Sequence, residues 1–136
     1  YDLDFRVLNH KPLYPNRDEI LTQFATFTFK LHENNINFLD HSPGNTLITI
    51  SENNTYDFYL IDLNRMRFEP MSLNKRMYNL RRMWLSKKMV RVIATQYALL
   101  YNVPFAKIHH LLLSYSKKFQ GKANKRKLRK SKRRLL

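Results

Sequence analysis

The sequence predicts an α+β domain that is mainly helical and carries one β-hairpin. Three observations point there. Apolar residues recur at spacings of three and four in four separate segments, the signature of a helix with one buried face. Two short β-rich runs, joined by a polar stretch, occur once. The chain of 136 residues is 43% hydrophobic with only two glycines, which suits one folded core and excludes a fibre or a low-complexity tail. At this length a domain buries roughly two-thirds of the unfolded chain's surface, which leaves little room for two complete domains.

Each element follows in order. Tyr1 to Pro15 has no clear period and contains two prolines, so it reads as an extended or irregular lead-in. Asn16 is a candidate N-cap for a helix whose first turn carries Asp18 and Glu19, acids that the positive end of a helix favours. Ile20, Phe24, Phe27 and Leu31 supply its apolar face, and Asn34-Asn35 its end. Asn37 to Asn45 contains Asp40, Ser42, Pro43 and Gly44, which is loop chemistry. Thr46–Ile50 and Phe58–Ile61 form the hairpin across a polar turn. After Pro70 three apolar stripes follow: Leu73, Met77, Leu80 and Trp84; then Val90, Ile93, Ala94, Tyr97 and Tyr101; then Ile108, Leu111, Leu112, Tyr115 and Phe119. Asn102, with Pro104 two residues on, separates the last two. Phe24, Phe27, Trp84, Tyr97 and Phe119 are expected in the core. Residues 1–121 are read as the folded unit, and 122–136 as a basic, disordered tail without a packing face.

Charge divides the same chain differently. The net charge is +15, yet all ten acids lie between Asp2 and Glu69, among six basic residues. From Pro70 onward there are 19 basic residues and no acid, nine of them after Gly121. Such a half calls for an anionic partner, either nucleic acid or an anionic membrane surface. The absence of cysteine excludes disulfides and thiolate metal sites. No apolar run approaches the roughly 18 to 20 residues that span a bilayer. The chain starts Tyr-Asp-Leu-Asp-Phe, so its true N-terminus is expected upstream.

The chemistry lies at the two ends of the hairpin. Asp40-His-Ser-Pro-Gly-Asn45 gives D-x-x-x-x-N just before the first strand, and Ile61-Asp62 closes the second. A hairpin returns its second strand beside the beginning of its first, so Asp62 should lie near Asn45. Two carboxylates and an amide oxygen are the groups that phosphoryl transfer from Mg-ATP requires. One carboxylate orients the acceptor hydroxyl and takes its proton, and Asp and Asn oxygens suit the hard Mg²⁺ ion. Asp40 is the expected base; Asn45 and Asp62 are the expected metal ligands.

This layout resembles the C-terminal lobe of the protein-kinase-like fold. The catalytic loop H-R-D-x-x-x-x-N corresponds to Phe38-Leu39-Asp40-His41-Ser42-Pro43-Gly44-Asn45, and D-F-G to Asp62-Leu63-Asn64. Phe38 replaces the histidine and Asn64 the glycine, so neither that histidine's hydrogen bonds nor the switching of protein kinases carries over. Phe24-Ala25-x-Phe27-x-x-x-Leu31-His32-Glu33, the Leu39–Asn45 loop and Ile61-Asp62-Leu63-Asn64-Arg65-x-Arg67-Phe68 together resemble the bacterial lipopolysaccharide core kinases, the Kdo kinase group. The resemblance runs from about Asp18 to Trp84. It implies an ATP-dependent phosphotransferase acting on an inner-core sugar of a lipid A glycolipid, cytoplasmic and peripheral at the inner face of the cytoplasmic membrane, with Mg²⁺ and ATP. In the family's terms Tyr1–Leu13 would be the hinge region and the start of the C-lobe, and the N-lobe is missing. Gly44 and Gly121 are the only glycines, so no glycine-rich phosphate loop exists in this chain. These 136 residues alone are expected to be inactive.

Plainer readings stand beside these. His32 reads as a helix-surface residue and His41 as a loop residue that could contact substrate phosphate. His109 and His110 read as solvent-exposed. Arg65 and Arg67 either bridge to nearby acids or hold an anionic sugar or phosphate, for which the guanidinium fork is suited. The tail cations Lys125, Arg126, Lys127, Arg129, Lys130, Lys132, Arg133 and Arg134 would bind an anionic surface, at about 1 kcal/mol each on an anionic leaflet. Arg81, Arg82, Lys87 and Lys88 extend that surface. The rival class is a non-enzymatic basic protein binding RNA or ribosomes; a pseudokinase or another small-molecule kinase is the third.

Overall fold

The computed structural model describes residues 1–135. Its order is β1 (Leu3–Asp4), α1 (Arg6–His10), α2 (Arg17–Glu33), β2 (Ile36–Phe38), β3 (Thr46–Ile50), β4 (Tyr56–Leu60), β5 (Met66–Phe68), α3 (Leu73–Asn79), α4 (Lys87–Tyr101) and α5 (Phe105–Leu135). Short 3-10 turns precede β3 and follow both β3 and α3. The class is α+β and mainly helical, with two small antiparallel sheets, ordered β1-β3-β4 and β2-β5.

The expected hairpin is present, with Thr46 opposite Leu60 and Ile50 opposite Tyr56. Its turn contains Asn53 and Asn54, both at positive φ. Positive φ recurs at Asn16, Asn35 and Asn102, whereas neither glycine adopts it. Asparagine tolerates the left-handed region better than other side chains, so in this glycine-poor chain it takes the turns that glycine usually takes. At Asn16 this overturns the expected capping: the residue sits at φ 60° and makes no side-chain cap bond.

The lead-in is ordered. Leu3 pairs with Ile48 and Asp4 with Leu47, which adds a third strand to the hairpin. Leu3, Phe5 and Leu8 are buried in the main core. The Arg17 side chain, also buried, donates from Nε to the Leu8 carbonyl at 2.9 Å and ties α1 to the start of α2.

The buried face of α2 is turned one position from the expected stripe. Ile20, Leu21, Phe24, Ala25, Thr28 and His32 are buried, while Phe27 and Leu31 are half-buried. This face packs on α4, and α4 packs in turn on α5. Val90, Ile93, Ala94 and Tyr97 form the buried stripe of α4 as expected. Trp84 and Phe119, expected in the core, are half-buried and meet edge to face at 5.6 Å.

The sharpest departure is at the C-terminus. Helix α5 runs without a break through Gly121 to Leu135, where a disordered tail was expected. Its Ala, Lys, Arg and Leu residues are good helix formers, and extension of an existing helix escapes the cost of nucleation. Gln120 anchors the middle of the helix by donating to the Leu85 carbonyl at 3.0 Å. Beyond Ala123 every described residue is exposed. Among the described residues no helix is long and apolar enough to cross a membrane.

Candidate active site

Asp40 lies just beyond β2, on a loop clamped at both ends. Before it, β2 pairs with β5, placing Phe38 opposite Met66, and the Leu39 N–H extends the ladder to the Arg65 carbonyl at 2.9 Å. After it, the Pro43–Asn45 turn delivers the chain into β3. The Asn45 side chain donates from Nδ2 to the Asp40 carbonyl at 3.1 Å. Its amide nitrogen thus closes the loop, and Oδ1 is its remaining lone-pair group. The Ile61 N–H bonds the Asn45 carbonyl at 3.0 Å, so the residue before Asp62 touches Asn45. The expected convergence of the hairpin ends on this loop is therefore present in the backbone.

Asp62 is exposed and sits at φ 65°, in the left-handed region that Asp, like Asn, enters more readily than most side chains. Asn64 donates to its Oδ1 at 3.3 Å. Arg65 pairs with Asp40, its NH1 lying 3.1 Å from Oδ1. The salt-bridge reading of Arg65 is thus met in the structure, but on the candidate base itself. An exposed pair of this kind contributes about 0–1 kcal/mol, so an arriving anion can exchange with it at little cost. Arg67 stands opposite Asn37 and is exposed.

Both histidines near the loop are corrected. His41 is fully buried, packed against Phe24 and Phe38, with Nε2 3.2 Å from the Thr28 hydroxyl. Burial pulls its pKa down to about 3. It is neutral, faces the core and is shielded from substrate, so the expected phosphate contact fails. His32 is not on the helix surface either: it is completely buried, and burial brings its pKa to about 4, against the hydrogen bond to Asn79 and with the Arg76 charge.

His32 belongs to a polar chain that sequence reasoning missed. Asn79 donates from Nδ2 to the Phe38 carbonyl at 2.8 Å, so its Oδ1 must accept from His32 Nε2 at 2.7 Å. That fixes the tautomer: Nδ1 accepts from the Tyr97 hydroxyl at 2.7 Å, and the Tyr97 oxygen accepts from Arg76 at 3.3 Å. Arg76 also pairs with Glu33 at 3.1 Å and lies over the Tyr101 ring at 4.4 Å. A directional run of hydrogen bonds thus leads from Arg76 in α3 to the carbonyl two residues before Asp40. The signal was the stripe Leu21, Ala25, Thr28 and His32 at spacings of four, three and four, which puts His32 on a buried face.

Mg²⁺ can be tested against these side chains. Among the described residues no group of three or more His, Cys, Asp or Glu gathers as a metal cage. Asn45 Oδ1 and the Asp62 carboxylate offer two kinds of hard oxygen. That suits Mg²⁺, which keeps most of its waters and shares the rest of its shell with phosphates. The tail cations, from Lys125 to Arg134, are exposed along α5, and Lys127 alone of that set reaches an aromatic ring, with Nζ 4.9 Å from that of Trp84.

No family model matches the chain, and neither does a curated protein nor a solved structure.

Proposed function

We propose that this chain is the C-terminal lobe of a kinase-like phosphotransferase, similar to the lipopolysaccharide core kinases, that phosphorylates a sugar hydroxyl from Mg-ATP. The observation that carries the reading is the closed Asp40–Asn45 loop with the Ile61–Asp62 strand end bonded to it. The acceptor hydroxyl oxygen forms its bond to the γ-phosphorus as the bond to ADP breaks, and the hydroxyl proton passes to the Asp40 carboxylate. Asn45 and Asp62 would hold Mg²⁺, which when bound neutralises charge on the phosphates. Arg65, freed from Asp40, would face an anionic group of the acceptor. The acceptor class is an anionic, lipid-anchored core sugar, and α5 would meet the membrane carrying it at the cytoplasmic face.

The test is phosphate transfer in the protein that pairs this lobe with a nucleotide-binding half. Asp40→Ala should lower kcat by about 10²–10⁴-fold. A wild-type rate in that variant removes Asp40 from the role of base. On the present chain, Mn²⁺ binding followed by electron paramagnetic resonance should be lost in Asp62→Asn; unchanged binding removes Asp62 as a ligand.

A further inference from the structure

Beside the Asp40 loop lies a cationic cleft of which the reading above uses only Arg65. Its inner part, about 290 Å³, is lined by Arg65, Arg67, Tyr78, Asn79, Arg81 and Arg82 among others. Its outer part, about 470 Å³, shares Tyr78, Arg81 and Arg82 and is closed by Lys118, Lys122 and Arg126 of α5. Among the described residues the single acid lining either part is Glu69, which is paired to Lys75 at 2.6 Å. The inner part adjoins the catalytic loop, because Arg65 lines it and touches Asp40.

At the junction of the two parts sit the adjacent Arg81 and Arg82. The Arg81 guanidinium lies 3.6 Å from the centre of the Tyr78 ring and donates to the Tyr78 carbonyl at 3.0 Å. Arg82 lies over Phe119 at 5.5 Å. Each ring contact positions a guanidinium and leaves it N–H groups that the ring does not occupy. Arg82 Nε is buried and has no hydrogen-bond partner among the described residues. A buried donor in that state is costly unless something accepts from it. Burial lowers the Arg81 pKa, and the Arg82 charge adds to the effect against the pull of Tyr78. Arg81 and Arg82 both line both parts of the cleft, with lysines around them and no free carboxylate, a donor set that matches the oxygens and double charge of a phosphomonoester.

We infer that the Arg81–Arg82 cleft binds a phosphomonoester carried by the sugar acceptor and so sets which acceptors reach Asp40. The orientation toward Asp40 rests on the function proposed above; the binding chemistry does not. The phosphate could come from a soluble sugar or from a lipid headgroup, and the assay has an arm for each.

Binding to the purified chain is measured by calorimetry at physiological ionic strength without ATP or metal, so a failure of the catalytic reading cannot alter the result. The probes are glucose 1-phosphate, with glucose as control, and vesicles containing phosphatidic acid, with phosphatidylglycerol vesicles as control. At least one phosphomonoester probe should bind better than its control, and which one does so names the source. Arg81→Gln/Arg82→Gln should weaken that binding at least about tenfold. Lys11→Gln/Lys107→Gln removes the same charge from exposed positions outside the cleft and the tail and should stay within about twofold. Arg81→Lys/Arg82→Lys keeps charge and fold but removes the forks, and should weaken binding severalfold. The inference is overturned by equal losses in the two Gln pairs, by wild-type affinity in the Lys pair, or by no preference for either phosphomonoester probe. Binding of a small structured RNA that glucose 1-phosphate fails to displace would overturn it also.

Discussion

The two halves of this molecule differ in charge, in structure and in what they offer chemically. Residues 1–69 hold every acid and every strand, and they carry Asp40, Asn45 and Asp62 on loops and strand ends. Residues 70–136 hold 19 cations, and every element described among them is a helix. The halves are nevertheless not mechanically separate. Asn79 and Arg76 of the basic half reach across to the Phe38 carbonyl, to His32 and to Glu33. The loop that bears the candidate base is held in place by the half that bears none of the candidate catalytic groups. Overall charge therefore marks the candidate binding half, whereas a few buried polar bonds hold the loop that carries the candidate site.

The comparison breaks most sharply at Asp40. In the protein that pairs this lobe with a nucleotide-binding half, its replacement should cost about 10²–10⁴-fold in turnover. Thermal stability should hardly move, because its ion pair with Arg65 is exposed. Neutralising Arg133 and Arg134 should leave kcat and thermal stability unchanged, with any effect confined to KM for a membrane-borne acceptor, and an equal loss of kcat there would erase the distinction between the halves.

Next in size is the response to acid. His32 and His41 titrate near 4 and 3 when folded and near 6.5 when unfolded. Between those values the unfolded chain binds protons that the folded chain refuses, so stability falls as pH drops. The contribution is fully present above pH 6.5 and is lost progressively from there towards the folded values. Each histidine should cost about 1.4 kcal/mol per pH unit, read from urea melts across pH 6.5 to 4.5. Replacing His41 with Gln should remove about half the slope, and an unchanged slope would place His41 in solvent.

Asn79→Leu tests the bridge between the halves. It leaves the His32 Nε2 proton without a partner and the Phe38 carbonyl with only the His41 N–H at 3.2 Å, and should destabilise by about 1–3 kcal/mol in the same melts. A loss below about 0.5 kcal/mol would mean that the bridge is ornamental. The smallest effect belongs to α5. Gly121 is exposed, and a Cβ added there meets nothing within 4 Å. Gly121→Ala should add about 0.5–1 kcal/mol and raise far-ultraviolet helicity if the helix is continuous. No change in either would restore the expected break after residue 121.

Much of this was legible from periodicity. Helices α2 and α4 and the hairpin carry strong apolar patterns, and their bounds fall within a few residues of expectation. The β2–β5 ladder was not legible, since strands of three residues leave too short a pattern to read. Leu3, Phe5 and Leu8 were hidden because their burial depends on β3, which lies more than 40 residues away in sequence. His32 and His41 read as surface residues because imidazole is polar; only the partners brought by α2, α3 and α4 make their burial affordable. Asp40, Asn45 and Asp62 were visible because their spacing and the hairpin between them are both local. The helical continuation past Gly121 lost to a composition that also describes disorder.

Trp84 gives one feature a practical use. It is the chain's one tryptophan, held at φ 55° just after Met83, with Phe119 at its edge and the Lys127 ammonium over its ring. The chromophore thus looks directly at the cationic stretch of α5. Its emission wavelength and its accessibility to a quencher form a label-free optical gauge of whether that stretch is seated on the lobe or has lifted away to meet a polyanion.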